Sequence, residues 1–144
     1  MSLLKVRNLQ VHYHTRRHIV RALDRVDFEI KPGETFGLAG ESGCGKTTFA
    51  LSILRVLPHN ARIVAGSIFL QDKNLVNMSE LEMRLARWKK VSLVFQGAMN
   101  ALNPVRTVGD QVTEAVVLHD KVGKSEAWEI AVSLFRRVGL DSSL

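Results

Sequence analysis

Apolar and polar residues alternate at the start of the chain. In "LLKVRNLQVHY", Leu3 to Tyr13, and in "ALDRVDFEI", Ala22 to Ile30, the period of two predicts half-buried strands, and "KPGE", Lys31 to Glu34, supplies a turn. "TFGLAG", Thr35 to Gly40, is short, apolar and bounded by glycine, as a buried central strand would be. The period then lengthens. "KTTFALSILRVL" sets Phe49, Ile53 and Leu57 on one helical face until Pro58, which is expected to end the helix. "ARIVAGSIFLQ" reads as a strand again. "SELEMRLARWKK" reads as a helix, opening with Ser79 and Glu82 at capping-box spacing and carrying Leu81, Leu85 and Trp88 on one side. "VSLVFQ", Val91 to Gln96, returns to a buried strand. From Thr107 onward the pattern is helical, in "TVGDQVTEAVVLH" and, after "DKVG", in "KSEAWEIAVSLFRRVG". The apolar run "AVVLHD", Ala115 to Asp120, also has the look of a metal-binding strand ending in aspartate. Lys121 follows it rather than glutamate, and Val108, Val112, Ala115 and Val116 fall on one helical face. The sum is an α/β body with a helical tail beginning near residue 100.

Length changes this picture little: 144 residues suit one domain with a real core. Hydrophobic content of 46% with 24% charged residues describes a globular chain. No apolar run approaches the roughly 18 residues of a membrane span. The N-terminus meets charge at Lys5 and Arg7 and has no signal-peptide core, so a cytoplasmic location is expected. Cys44 is the single cysteine, so no internal disulfide forms. Twenty basic against fourteen acidic residues give a net charge of +6. The basic residues are scattered in pairs such as Arg16–Arg17, Lys89–Lys90 and Arg136–Arg137, with few aromatics among them, so no nucleic-acid partner is expected.

The chemistry is concentrated in "GLAGESGCGKTTFALSIL", Gly37 to Leu54. Gly40, four spacers, Gly45, Lys46 and Thr47 satisfy G-x-x-x-x-G-K-[ST], after an apolar segment and before a helix. Ser42, Gly43, Cys44 and the glycines around them form a loop whose backbone N–H groups can point at phosphate oxygens, and the helix start adds the positive end of its dipole. Lys46 then bridges the β- and γ-phosphates, the Thr47 hydroxyl suits Mg²⁺, and Thr48 can donate near the α-phosphate. A glycine-rich turn that binds nothing leaves unexplained why a lysine and a hydroxyl follow the final glycine. This motif alone does not choose among kinases, GTPases, helicases and transport ATPases.

Three separated stretches choose. "LKVRNLQVHY", the run "VRALDRVDFEIKPGETFGLAGESGCGKTT" and "FQ…M…LNP…T…GDQ" between Phe95 and Gln111 stand in an order that resembles the ATP-binding subunits of ABC transporters, and the last looks like the oligopeptide/dipeptide importer branch. The resemblance covers nearly the whole chain. It implies a P-loop NTPase nucleotide-binding lobe, a mixed or parallel sheet with helices, over 1–100, and the first helices of an ABC-type helical subdomain over 101–144, together the N-terminal part of such a domain. It implies that Tyr13 stacks on adenine and that Gln96 reaches Mg²⁺ and the attacking water. Gly97–Ala98 stand where that branch usually has Asp–Pro, and Thr47 where serine is commoner. The further implications are ATP and Mg²⁺ as cofactors, transmembrane permease subunits and a second ATP-binding subunit as partners, and a peripheral place on the inner face of the cell membrane. In the full-length protein ATP hydrolysis would energise import of a peptide or small solute. The 144 residues hold no "LSGGQ"-like signature and no apolar run ending in Asp–Glu. A non-transport ABC ATPase acting with nucleic acid or ribosomes, another P-loop kinase and a non-catalytic fragment stay open, whereas the lack of an N-K-x-D guanine reader tilts against a GTPase. The face of the last helix, Ala127, Ile130, Ala131 and Leu134, is expected to be partly uncovered.

Overall fold

The structure, a computed structural model, describes residues 2–95, 97 and 102–140 and divides into two compact units, Met1–Leu93 and Val94–Leu144. In the first, strands β1 (Leu4–His14), β2 (Ile19–Ile30), β3 (Ala61–Leu70) and β4 (Lys73–Asn74) form an antiparallel sheet in the order β2-β1-β3-β4. Helix α1 (Lys46–Leu54) lies between β2 and β3 in sequence, and a short 3₁₀ turn (Leu75–Asn77) leads into α2 (Glu80–Ala86).

The alternation in β1 does what the pattern predicts, because one face of an antiparallel sheet can be buried while the other meets water. Leu4, Val6, Leu9 and Val11 are buried in one core with Leu23, Phe49, Ile68, Leu75 and Met83. The step of three from Val6 to Leu9 is a bulge. Asn8 sits there at φ 47° and its N–H donates to Asp27 Oδ1 at 3.3 Å. Gly66 lies opposite on β3 at φ 94°, where a Cβ would stand 2.4 Å from the Asn8 carbonyl oxygen, so only glycine lets the two backbones meet.

Helix α1 buries Phe49, whose ring meets Phe28 of β2 edge to face at 5.2 Å, and Ile53 and Leu57 pack against the same core. The helix ends at Leu54 rather than at Pro58. Arg55 turns left-handed (φ 52°, ψ 40°) and the Val56 N–H donates back to Leu51 O at 3.0 Å, a closed C-terminal turn. Arg55 can hold that conformation because its Nη1 donates to Leu75 O at 3.1 Å and Met78 O at 2.5 Å.

The capping box of α2 forms as expected, with Ser79 N–H donating to Glu82 Oε2 at 2.8 Å and Glu82 N–H to Ser79 Oγ at 3.3 Å. The inward residues, however, are Met83 and Ala86, while Leu81 is 68% exposed and Leu85 and Trp88 are also exposed. The helix stops at Ala86, and Trp88 at φ 76° lies beyond it, so the side of 81, 85 and 88 never becomes one packed face.

Two expected strands are not formed. Thr35–Gly40 has no strand pairing, and Phe36 and Leu38 are exposed. Past Val91, which makes one isolated bridge to Arg87, the chain carries Val94 at 90% exposure, and Gln96 lies outside the described residues. A buried central strand needs neighbours on both edges, and among the described residues the Val91–Arg87 bridge is the one pairing either segment makes. The named strands pair antiparallel, and the Arg87–Val91 bridge is parallel. Among them, too, no helix is long and apolar enough to cross a membrane.

In the second unit α3 (Val108–Asp120) and α4 (Lys124–Arg137) pack together. "AVVLHD" is thus helix. Thr107 caps α3 by accepting from Asp110 N–H at 3.1 Å, and Arg106 pairs with Glu114. Ala127 and Ala131 are fully buried, with Val116 and Gly109 also inside. The expectation of a partly uncovered face is corrected for Ala127 and Ala131, which are covered, while Ile130 is half-buried and Leu134 is 36% exposed. Small side chains let two helices approach closely, and the Trp128 ring covers Gly109 so tightly that a Cβ there would lie 2.6 Å from it.

Candidate phosphate-binding loop

The loop between Gly40 and Thr48 follows the sheet and opens α1. Gly45 is the helix's N-cap at φ 97°, and a Cβ there would lie 2.8 Å from the Ala22 carbonyl of β2. A side chain is excluded twice, by backbone conformation and by space. Gly45 also offers no side-chain cap. The first intrahelical bond is Phe49 N–H to Gly45 O at 2.8 Å, so helix geometry leaves the amides of Lys46, Thr47 and Thr48 ahead of it without an intrahelical acceptor. An uncapped helix start with a bare N-cap favours an anion.

Lys46 closes the loop from the other side. Its Nζ donates to Gly40 O at 2.7 Å and to Glu41 O at 2.6 Å, and lies 3.4 Å from Cys44 Sγ. Those bonds bring the ammonium across the loop onto its own backbone, over the turn that Gly43 (φ 81°) and the Cys44 N–H to Glu41 O bond shape. Ser42, Cys44 and Thr47 are exposed on this turn. Thr48 is buried and its Oγ1 lies 3.2 Å from the Tyr13 hydroxyl, with Ser52 Oγ donating to Thr48 O at 2.6 Å one turn on. The fold thus joins Tyr13, on the core side of β1, to α1 across 35 positions of sequence.

Phosphate fits what is present: free amides, one cation and no carboxylate side chain hydrogen-bonded to the Lys46 ammonium among the described residues. Mg²⁺ fits the exposed Thr47 hydroxyl, since this ion takes few protein ligands and completes its shell with phosphate oxygens and water. Gln96, the other expected metal and water contact, lies outside the described residues.

Sequence reasoning missed two features. Behind the loop is a cavity of about 200 Å³, lined by Leu23, Phe28, Leu38 and Phe49 with Cys44, Gly45 and Lys46 at its edge. Its apolar wall belongs to the core side and not to the polar side where phosphate would sit. Arg87 is the second. Its Nε donates to Leu54 O at 2.8 Å and its Nη2 to Arg55 O at 3.3 Å, satisfying the last carbonyls of α1 and fixing the far end of the helix that starts at the loop. A lone arginine after a short helix gave no signal for this role.

Comparisons with known proteins bear on the family and the fold. The family model described as ABC transporter matches residues 23–143. The chain is 44% identical over 137 residues to the probable peptide ABC transporter ATP-binding protein y4tR of Sinorhizobium fredii, covering 94% of this chain and 41% of that protein. It is 41% identical over 139 residues to the oligopeptide transport ATP-binding protein AppD of Bacillus subtilis, covering 96% of this chain and 42% of that protein. The chain thus spans about two fifths of the length of these curated relatives. Among solved structures, the ATP-binding cassette MJ0796 in a dimeric post-hydrolysis state bound to ADP and Pi superposes with a TM-score of 0.78 at 20% identity, over 97% of this chain and 59% of that one. The fold is that of an ABC cassette, and the chain belongs to the ABC transporter family.

Proposed function

We propose that this chain binds ATP with Mg²⁺ through the 40–48 loop, and that in the full-length protein hydrolysis of that ATP energises import of a peptide or small solute. The observation that carries the reading is the Lys46 ammonium, drawn across the loop by the Gly40 and Glu41 carbonyls at the head of an uncapped helix. In this reading the loop amides and Lys46 hold the β- and γ-phosphates and Thr47 supplies one metal ligand. Tyr13 offers a flat face to adenine, and its hydroxyl contact to Thr48 ties that strand to the phosphate end of the site. Gln96 positions the attacking water. Bound Mg²⁺ would supply charge neutralisation at the phosphates. Residues 1–100 act as the nucleotide-binding lobe and 101–144 as the start of the helical subdomain.

The import reading is supported by relatives named as ATP-binding proteins of peptide and oligopeptide transport. It places the full-length protein at the inner face of the membrane with permease subunits and a second ATP-binding subunit. Co-purification with membrane subunits rather than with nucleic acid or ribosomes tests this assignment.

Calorimetry tests the loop. Lys46→Ala removes a charge-assisted contact worth about 1.5–3 kcal/mol, so Mg·ATP affinity should fall about ten- to a hundredfold, and Tyr13→Ala should weaken it less. Equal affinity for the parent and Lys46→Ala would remove the assignment.

A further inference from the structure

The basic residues are scattered in sequence but not in the sheet. On β1, His12 is the register partner of Arg21 on β2 and of Arg62 on β3. Register partners on neighbouring strands project from the same face, so Arg21, His12 and Arg62 form one row across three strands. The two arginines thus flank His12 on one face, and no ion pair neutralises either of them among the described residues. Neither guanidinium has a hydrogen bond or an ion pair among the described residues, and His12 Nε2 is buried without a hydrogen-bond partner. Toward the other end of β1 the arrangement differs, because Arg7 is matched by Glu29 at 3.2 Å and Asp27 at 3.6 Å. The two segments that build the row, "HYHTRRHIVR" over 12–21 and "HNARIVAGSIFL" over 59–70, contain no carboxylate at all.

The row faces away from the phosphate-binding loop. Successive residues of a strand point to opposite faces, and Tyr13, next to His12, reaches Thr48 of α1. His12 therefore projects from the side of the sheet that α1 does not cover.

We propose that Arg21, His12 and Arg62 form a second anion site, for a phosphate-class dianion, on the outer face of the sheet. Guanidinium forks match tetrahedral phosphate oxygens two at a time, and their long stems let arginines from the two outer strands converge over the central one. Strand spacing puts the two arginine backbones about 10 Å apart, within that reach. His12 lies between the two forks, and its imidazole offers the third contact as the arginine side chains move onto the anion. A single planar carboxylate would occupy one fork and leave the other cation unmatched. The phosphate can belong to a free anion or to a lipid headgroup.

The test follows the His12 imidazole resonances by NMR near pH 7 in the full 144-residue chain carrying Lys46→Ala, which suppresses phosphate binding at the loop. Pyrophosphate and inorganic phosphate, titrated against sodium chloride of equal ionic strength, should shift the His12 signals saturably. The Arg21→Gln, Arg62→Gln double variant should weaken the response by about tenfold or more, as expected for lost charge-assisted contacts. Both substitutions are at exposed positions, and an unchanged thermal midpoint checks that the variant is folded. Vesicles of phosphatidic acid in phosphatidylcholine, compared with phosphatidylcholine alone, separate the sources: broadening of His12 with these vesicles alone identifies a headgroup, and saturation by the soluble anions alone identifies a free ligand. If neither probe moves His12 beyond the chloride control, or if the double variant responds with the parent's affinity, the proposal is overturned. The response of the chain with both arginines intact decides the matter by itself should the double variant not fold.

Discussion

Within the loop, Cys44 has the Lys46 ammonium 3.4 Å from its sulfur and is itself exposed, so it reports on whatever occupies the turn. Nucleotide bound by the amides around it would screen the thiol and redirect Lys46 toward phosphate. Saturating Mg·ATP should therefore slow maleimide modification of Cys44 by about tenfold once nucleotide exceeds its Kd by that factor, followed by mass spectrometry. An unchanged rate would mean the nucleotide does not bind there. The loop was legible in sequence because its chemistry is local. Gly45 must lack a side chain and Lys46 must follow it, both within a few positions. The Tyr13–Thr48 contact was not legible, since it depends on how a strand and a helix 35 positions apart meet. The carbonyls that hold Lys46 carry no residue-type signal either, because a backbone oxygen looks the same in every amino acid.

Helix α2 and its neighbours carry the clearest energetic couplings between elements. Glu80 is held below its ordinary value of 4.5 by the Arg87 hydrogen bond and charge, and Glu82 by hydrogen bonds from Ser79. A depressed carboxylate stabilises the fold above its unfolded value, and that contribution is lost as pH falls through the folded one. Stability should thus be level near neutrality and decline below about pH 4.5. Glu82→Gln keeps an acceptor for the Ser79 amide while removing the charge, so urea titrations of this variant should show a smaller loss as pH falls below about 4.5. An identical acid profile would remove Glu82 as a source. Arg87→Ala should cost more, about 1–3 kcal/mol, because it strips donors from the Leu54 and Arg55 carbonyls. An unchanged urea midpoint would show that water replaces those donors without penalty. At this scale the sequence revealed β1 and β2 through alternation, and β3 as a strand, because their pairing is internal to one sheet. The segments at 35–40 and 91–96 read as strands for their apolar content. Burial of such a run is decided by neighbouring strands, which no local pattern contains.

At the scale of the 144-residue chain, the proposed reading separates binding from turnover. In the proposed reading the described residues provide a phosphate cradle and one metal-suited hydroxyl, and Gln96 adds a water-positioning amide. Phosphoryl transfer to water also needs donors aimed at the charge that develops in the transition state and a base for the water. These 144 residues contain no "LSGGQ"-like segment and no apolar run ending in Asp–Glu, the two places where the family resemblance would put those groups. Ground-state contacts that hold ATP equally well before and during reaction do not accelerate it. The purified chain should accordingly bind Mg·ATP with Lys46-dependent affinity yet release phosphate near the buffer background. The measurement is phosphate release at saturating Mg·ATP, with Lys46→Ala as the control for contaminating ATPases. Lys46-dependent turnover of about 1 s⁻¹, the lower edge of ordinary enzyme rates, would show that residues within this chain complete the site and that the separation of binding from chemistry is wrong.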